Sequence, residues 1–166
     1  MTFQEQFILD FQAHVKLKVP EFKYVDENLG QWGDDNFRTA VSFPAILIDF
    51  PNTTYQDIGN EGQMGFPTIE LTLLFSSGSQ SYNLASLEVR QKALLYYALE
   101  QKLVASLKEF EGDYFTPLVR VSATSKNKND LGLRIRELTF TSSFEEYFDE
   151  LDSLNDYTID FTGEVG

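Results

Sequence analysis

Between Phe43 and Phe75 the chain reads FPAILIDFPNTTYQDIGNEGQMGFPTIELTLLF, two β-type runs around a glycine-rich turn. Ile46, Ile48 and Phe50 alternate with Ala45, Leu47 and Asp49, apolar enough on both faces to predict a central strand. Pro51 has no N–H for a ladder, so the strand ends, bends or bulges there, and Tyr55 to Ile58 continue it. Gly59, Gly62 and Gly65 are read as positive-φ positions of a hairpin loop. Thr68 to Phe75 is the clearest strand of all, with Ile69, Leu71, Leu73 and Phe75 on one face. A chain holding such a pair must bury a sheet.

The remaining segments are read as what covers or extends that sheet. Residues 2 to 19 predict a helix: Thr2 and Glu5 have capping-box spacing, and Phe3, Phe7, Phe11 and Val15 recur on one face until Pro20. Phe22, Tyr24 and Val25 make a weak strand, followed by a loop holding Trp32, which reads either as an interface anchor or as a lid over the core. After a polar linker, Ser86 to Phe110 predicts a long helix with Leu95, Leu99, Leu103 and Leu107 in an i+4 row against the sheet. Leu118 to Ser122 and 131 to 144 predict two more strands. In the second, Leu133 and Ile135 differ in parity from Leu138 and Phe140, so a bulge near Glu137 is expected. The fold class is therefore α+β: an antiparallel sheet with the N-terminal helix and the long helix packed on one face.

At 166 residues the chain predicts one body, residues 1–144, followed by an acidic arm or tail, 145–166. Fifteen Phe and eight Tyr argue for a packed core, and the absence of cysteine excludes disulfides and thiolate chemistry. Every Lys and Arg lies at or before Arg136, whereas Glu145, Glu146, Asp149, Glu150, Asp152, Asp156, Asp160 and Glu164 carry most of the net charge of −13. Phosphate binding relies on Lys and Arg, so specific nucleic-acid binding is not expected. The N-terminus shows no signal-peptide pattern and no window suits a membrane span, which predicts synthesis as a soluble cytoplasmic protein without a membrane partner. Tyr147, Phe148, Leu151, Leu154, Tyr157, Ile159 and Phe161 punctuate the acidic end. It reads as an arm that packs on a neighbour or as a loose tail.

No arrangement carries catalysis, a cofactor or a metal. Asp49 and Glu70 suggest a carboxylate pair, but one acid on each of two strands reads better as a solvated face. The glycines match neither phosphate-loop pattern, the acidic end lacks the EF-hand order, and the single His14 has no partner in sequence. Arg120, Lys126, Lys128, Arg134 and Arg136 make the hairpin around SKNKND the one basic region. It reads as an electrostatic mate for an acidic surface of another subunit or as a solvated hairpin.

Three features taken together, VPEF closing a short first helix, FPAILIDF leading through YQDIGNEGQMG to TIELTLLF, and a leucine-rich helix followed by RELTFTSSF, resemble the tail terminator or tail-completion proteins of the phage and prophage head–tail neck. The resemblance covers residues 1 to 144. It implies a non-enzymatic virion protein that forms a homo-oligomeric ring, usually a hexamer, and meets tail-tube and head-completion proteins. Such a protein assembles in the cytoplasm of the host bacterium and ends in the virion neck. The candidate oligomer contacts are Lys126, Lys128, Arg134 and Arg136 against the acidic arm with Tyr147 and Phe148, and the hairpin tip at Gly59, Gly62 and Gly65. The alternative is a non-catalytic α+β module that binds a small ligand or a protein between the long helix and the sheet.

Overall fold

In the computed structural model, which describes residues 1–34, 36, 41–59, 61–76, 81–129 and 132–148, the first helix α1 (Phe3–Lys18) opens on a capping box. The Thr2 amide donates to Glu5 Oε2 at 2.7 Å and the Glu5 amide to Thr2 Oγ1 at 3.3 Å, which satisfies two N–H groups the helix cannot. Phe3, Phe7, Phe11 and Val15 are buried along one face, as their four-residue spacing dictates.

The described residues form one six-stranded sheet from β1 (Tyr24–Glu27), β2 (Ala45–Asp57), β3 (Gly62–Ser76), β4 (Val119–Ser125), β5 (Leu133–Thr141) and β6 (Phe144–Tyr147). Its order is β1-β2-β3-β5-β4, with β6 also paired to β3. The β2–β3 hairpin is the axis of the molecule. Its register shifts between Asp49 and Asn52, where Pro51 cannot donate to the ladder. Unlike the all-antiparallel sheet expected, β1 runs parallel to β2, Tyr24 opposite Ala45 and Glu27 opposite Ile48. A parallel neighbour needs a crossover of about a dozen residues or more, and the stretch after Glu27 supplies it.

The bulge expected near Glu137 is absent. β5 pairs with β3 without a break from Thr68–Thr141 to Ser76–Leu133. The change of parity instead marks a change of buried face. Leu138 and Phe140 join Ile46, Ile48, Ile69, Leu71 and Leu73 under the helices. Leu133 and Ile135 join Ala45, Leu47, Leu74 and Val41 on the opposite face, with Trp32 and Phe43 packed over them. Trp32 is thus half of a lid. β6 continues the β5 register, Gly65 opposite Phe144, after a gap opposite Phe66 and Pro67. Pro67 offers no N–H there, and Ser143 turns to Thr116 instead, its amide donating to Thr116 Oγ1 at 2.9 Å.

The second long helix, α2 (Leu87–Ser106), is capped by Ser86 Oγ, which accepts from the Val89 amide, and runs into a 3-10 turn at Leu107–Glu109. Its buried side is not the whole leucine row. Ala93, Glu100, Leu103 and Leu107 are buried, whereas Leu95 is 60% exposed. Four residues advance a helix about 40° past a full turn, so a long i+4 row rotates off the sheet. His14 ties the two helices together: its Nε2 lies 3.0 Å from the Ser106 carbonyl and its ring against Phe110. Burial holds the His14 imidazole below its ordinary pKa, as befits a packed structural residue.

Candidate functional site

The nine residues read from the sequence as contacts divide into groups at opposite ends of β3. Leu133 pairs with Ser76 at one end and Tyr147 with Gly62 at the other, a separation of about 45 Å at roughly 3.3 Å per residue. The basic hairpin lies at the first end. The glycine turn, Tyr147 and Phe148 lie together at the second, where the Phe148 amide donates to the Glu61 carbonyl at 2.9 Å.

The basic residues do not form one patch, because alternation sends them to different faces. Arg136 points under α2 and grips Glu100 with two bonds, Nε to Oε2 at 2.6 Å and Nη2 to Oε1 at 2.9 Å. Its Nη1 reaches Ser125 Oγ at 2.7 Å. Only 14% of the Arg136 side chain and 8% of the Glu100 side chain are exposed. Arg134, on the same face, lies 4.6 Å from the centre of the Tyr96 ring. Lys126 faces the other way and pairs with Glu137 at 2.9 Å. Lys128 is exposed beside it in the turn.

The glycines also take different roles from those expected. Gly59 alone of the three has positive φ, at 129°. Gly62 and Gly65 sit in β3, where they leave room for β6. A Cβ on Gly65 would stand 2.4 Å from Phe144 Cζ, and one on Gly62 2.9 Å from both the Glu146 carbonyl and the Tyr147 ring. They are sites of close approach, which their spacing in sequence does not distinguish from turn positions.

Asp49 and Glu70 do face each other across β2 and β3. Burial, followed by the Glu137 carboxylate, pushes Glu70 above the ordinary carboxylate range, while Lys126 draws it partly back. A raised carboxyl pKa means that the folded state resists ionisation. Its stabilising share is present in acid and is lost as pH rises through the raised value. Glu70→Gln is therefore expected to stabilise the protein at pH 7, by less than about 1 kcal/mol once solvent screening is allowed for. Below the ordinary glutamate range the variant and the parent should melt together. Thermal unfolding at the two pH values measures this, and an equal gain at both would discount the ionisation.

Between the long helix and the sheet, where the alternative reading puts a binding site, the described residues form a groove. It has a volume of about 530 Å³ and runs beside α2, lined by Leu95, Leu99, Tyr96, Phe75, Pro44 and Lys102, among others. Lys92 and Arg134 also border it. Leu87, Leu94 and Tyr97 of α2, and Leu84 just before it, are also exposed. At the far edge of the sheet, all seven residues of β4 are exposed, Val119 and Val121 included. An open strand edge offers its free N–H and C=O groups to another strand, and exposed apolar side chains in number commonly mark a contact surface. Among the described residues no group of three His, Cys, Asp or Glu could hold a metal ion, and no helix is long and apolar enough to cross a membrane.

No protein-family model matches this chain, and no curated protein sequence does. Among solved structures it is similar to a chain described as "Virion of native gene transfer agent (GTA) particle", at a TM-score of 0.51 and 8% sequence identity, over 87% of this chain and 100% of that one. At that identity the likeness is one of fold, and it spans the whole of the virion chain.

Proposed function

We propose that this protein is a structural subunit of a phage-like particle. More finely, we propose a tail terminator or tail-completion protein of the head–tail neck that works as a homo-oligomeric ring without catalysis. The observation that carries the reading is the fold shared with the whole of a gene transfer agent virion chain. The sequence features at Phe43–Phe75 and Arg136–Phe144, which resemble tail terminators, agree with it.

Three surfaces support assembly. The open β4 edge and the apolar side of α2 each offer contacts that a neighbouring copy would cover. The β2–β3 tip at Gly59–Gly65, backed by Tyr147 and Phe148, is proposed to reach the tail tube or the next subunit. Arg136 is held by Glu100 and Lys126 by Glu137, so of the four hairpin cations Arg134 and Lys128, in no ion pair among the described residues, are the ones left for an acidic neighbour. A closed ring needs one surface to fit a different one on the next copy. A net charge of −13 suits a channel that passes DNA without holding it. Host cytoplasm during assembly and the virion neck afterwards are the proposed locations.

Electron micrographs of the purified full chain test this reading. Uniform rings with an open centre are expected; separate single subunits at micromolar concentration would refute it. The groove volume, which falls in the range of about 300–1,000 Å³ typical of ligand pockets, favours a second reading as a small-ligand binding module. That reading requires a monomer that takes up an apolar probe without change of mass.

A further inference from the structure

We propose that the groove beside α2 receives the acidic C-terminal segment, residues 149–166, of a neighbouring copy. The inference takes self-association from the reading above and names the contact that joins one copy to the next.

The chemistry of the two sides matches. The groove wall offers Leu95, Leu99, Tyr96 and Phe75, and its cations are Lys92, Lys102 and Arg134. Two of these are already partnered at the exposed rim, Lys92 by Glu88 and Lys102 by Glu21. Arg134 has Tyr96 as its ring contact and lacks a carboxylate in any ion pair among the described residues. Exposed pairs of the first kind are weak and exchange readily. Residues 149–166 carry Asp149, Glu150, Asp152, Asp156, Asp160 and Glu164 and no Lys or Arg. Leu151, Leu154, Tyr157, Ile159 and Phe161 are interleaved with those acids. An acidic strip with regularly placed apolar side chains is the complement of an apolar groove whose rim, with Lys92, Lys102 and Arg134 against the single carboxylate of Glu21, is net basic.

Reach decides whose segment it is. The described chain leaves the sheet at Phe148, beside Glu61, whereas the groove opens at Phe75, near the other end of β3. From Gly62, opposite Tyr147, to Phe75 is about 40 Å along the strand. A segment that crosses that distance extends by at most about 3.3–3.6 Å per residue, so it consumes residues up to about position 161. Only Thr162 to Gly166 would then arrive, with Val165 as their one large apolar side chain. The leucines and aromatics can fill the groove of an adjacent copy without that detour.

The native chain has no cysteine, which makes disulfide trapping clean. Full chains carrying Leu95→Cys are mixed with tagged full chains carrying Leu154→Cys and oxidised mildly. A control mixture uses Leu17→Cys, an apolar position 77% exposed on α1. The mixed dimer is expected to exceed the control by about tenfold or more, because docking raises the local thiol concentration towards millimolar. Equal yields would overturn the proposal. So would a chain bearing both Leu95→Cys and Leu154→Cys that closes on itself at high dilution. The mass of the unsubstituted chain separates the two ideas. An oligomer with equal yields removes this contact and leaves the structural role standing, whereas a monomer with equal yields removes both.

Discussion

Replacing Arg136 with alanine is expected to cost about 3–5 kcal/mol of folding stability, the usual penalty for leaving one member of a buried ion pair uncompensated. Glu100 is the member left behind. Its side chain is 8% exposed, packed between α2 and β5, and both of its oxygens are held by Arg136. Glu100→Ala should be comparably harmful, softened by the bond that Arg136 keeps to Ser125. The pair need not be net stabilising, since desolvating two ions offsets much of their attraction. A combined Glu100→Leu and Arg136→Met variant is therefore expected to recover most of the loss. Urea unfolding followed by circular dichroism would check all three. A loss below about 1 kcal/mol for Arg136→Ala would mean that water reaches Glu100. The result also bears on assembly, because reversing Arg136 would dissolve a ring by unfolding its subunits.

Phe144→Ala is expected to cost a similar amount, about 3–5 kcal/mol, and to act at the other end of the molecule. The Phe144 ring stacks on Phe3 with centroids 4.1 Å apart and planes 2° from parallel. It stands edge-on to Tyr55 and covers Gly65. One side chain thereby joins the start of α1, both strands of the hairpin and β6. Removing it leaves a cavity among aromatic rings and takes away the main apolar anchor of β6, whose four residues alone pair weakly. Amide exchange should accordingly accelerate at Glu145 to Tyr147 more than at β5. Uniform loss of protection across the sheet would contradict a local anchoring role. Gly65→Ala presses on the same contact from the opposite side, and the displaced ring should cost about 1–3 kcal/mol.

Local periodicity made part of this fold legible. The capping residues and four-residue spacing of α1, the alternation in β2 and β3, and the irregularity at Pro51 all act within a few positions of one another. What escaped depends on distant partners. The parallel setting of β1 is decided by where the crossover places it. The parity change in β5 resembles a bulge in sequence, yet reflects two cores on opposite sides of one sheet. On α2 the leucine row was the stronger signal, but the buried residues are Ala93, Glu100 and Leu103, and Tyr96 and Glu100 are the ones that meet Arg134 and Arg136 of β5. Glu100 and Arg136 lie 36 residues apart, and nothing local pairs them. The candidate contacts were legible only as residue types. Basic residues two apart in a strand share a face, so Arg134 and Arg136 turned inward together while Lys126 faced the other side.

The central claim is that this chain works as a self-assembling structural subunit. Light scattering on the full chain, measured across a range of concentrations, tests it most directly. The account predicts a fixed multiple of the 19.0 kDa chain that persists on dilution, with a hexamer as the ring the resemblance implies. A particle of 19.0 kDa at every concentration would contradict it.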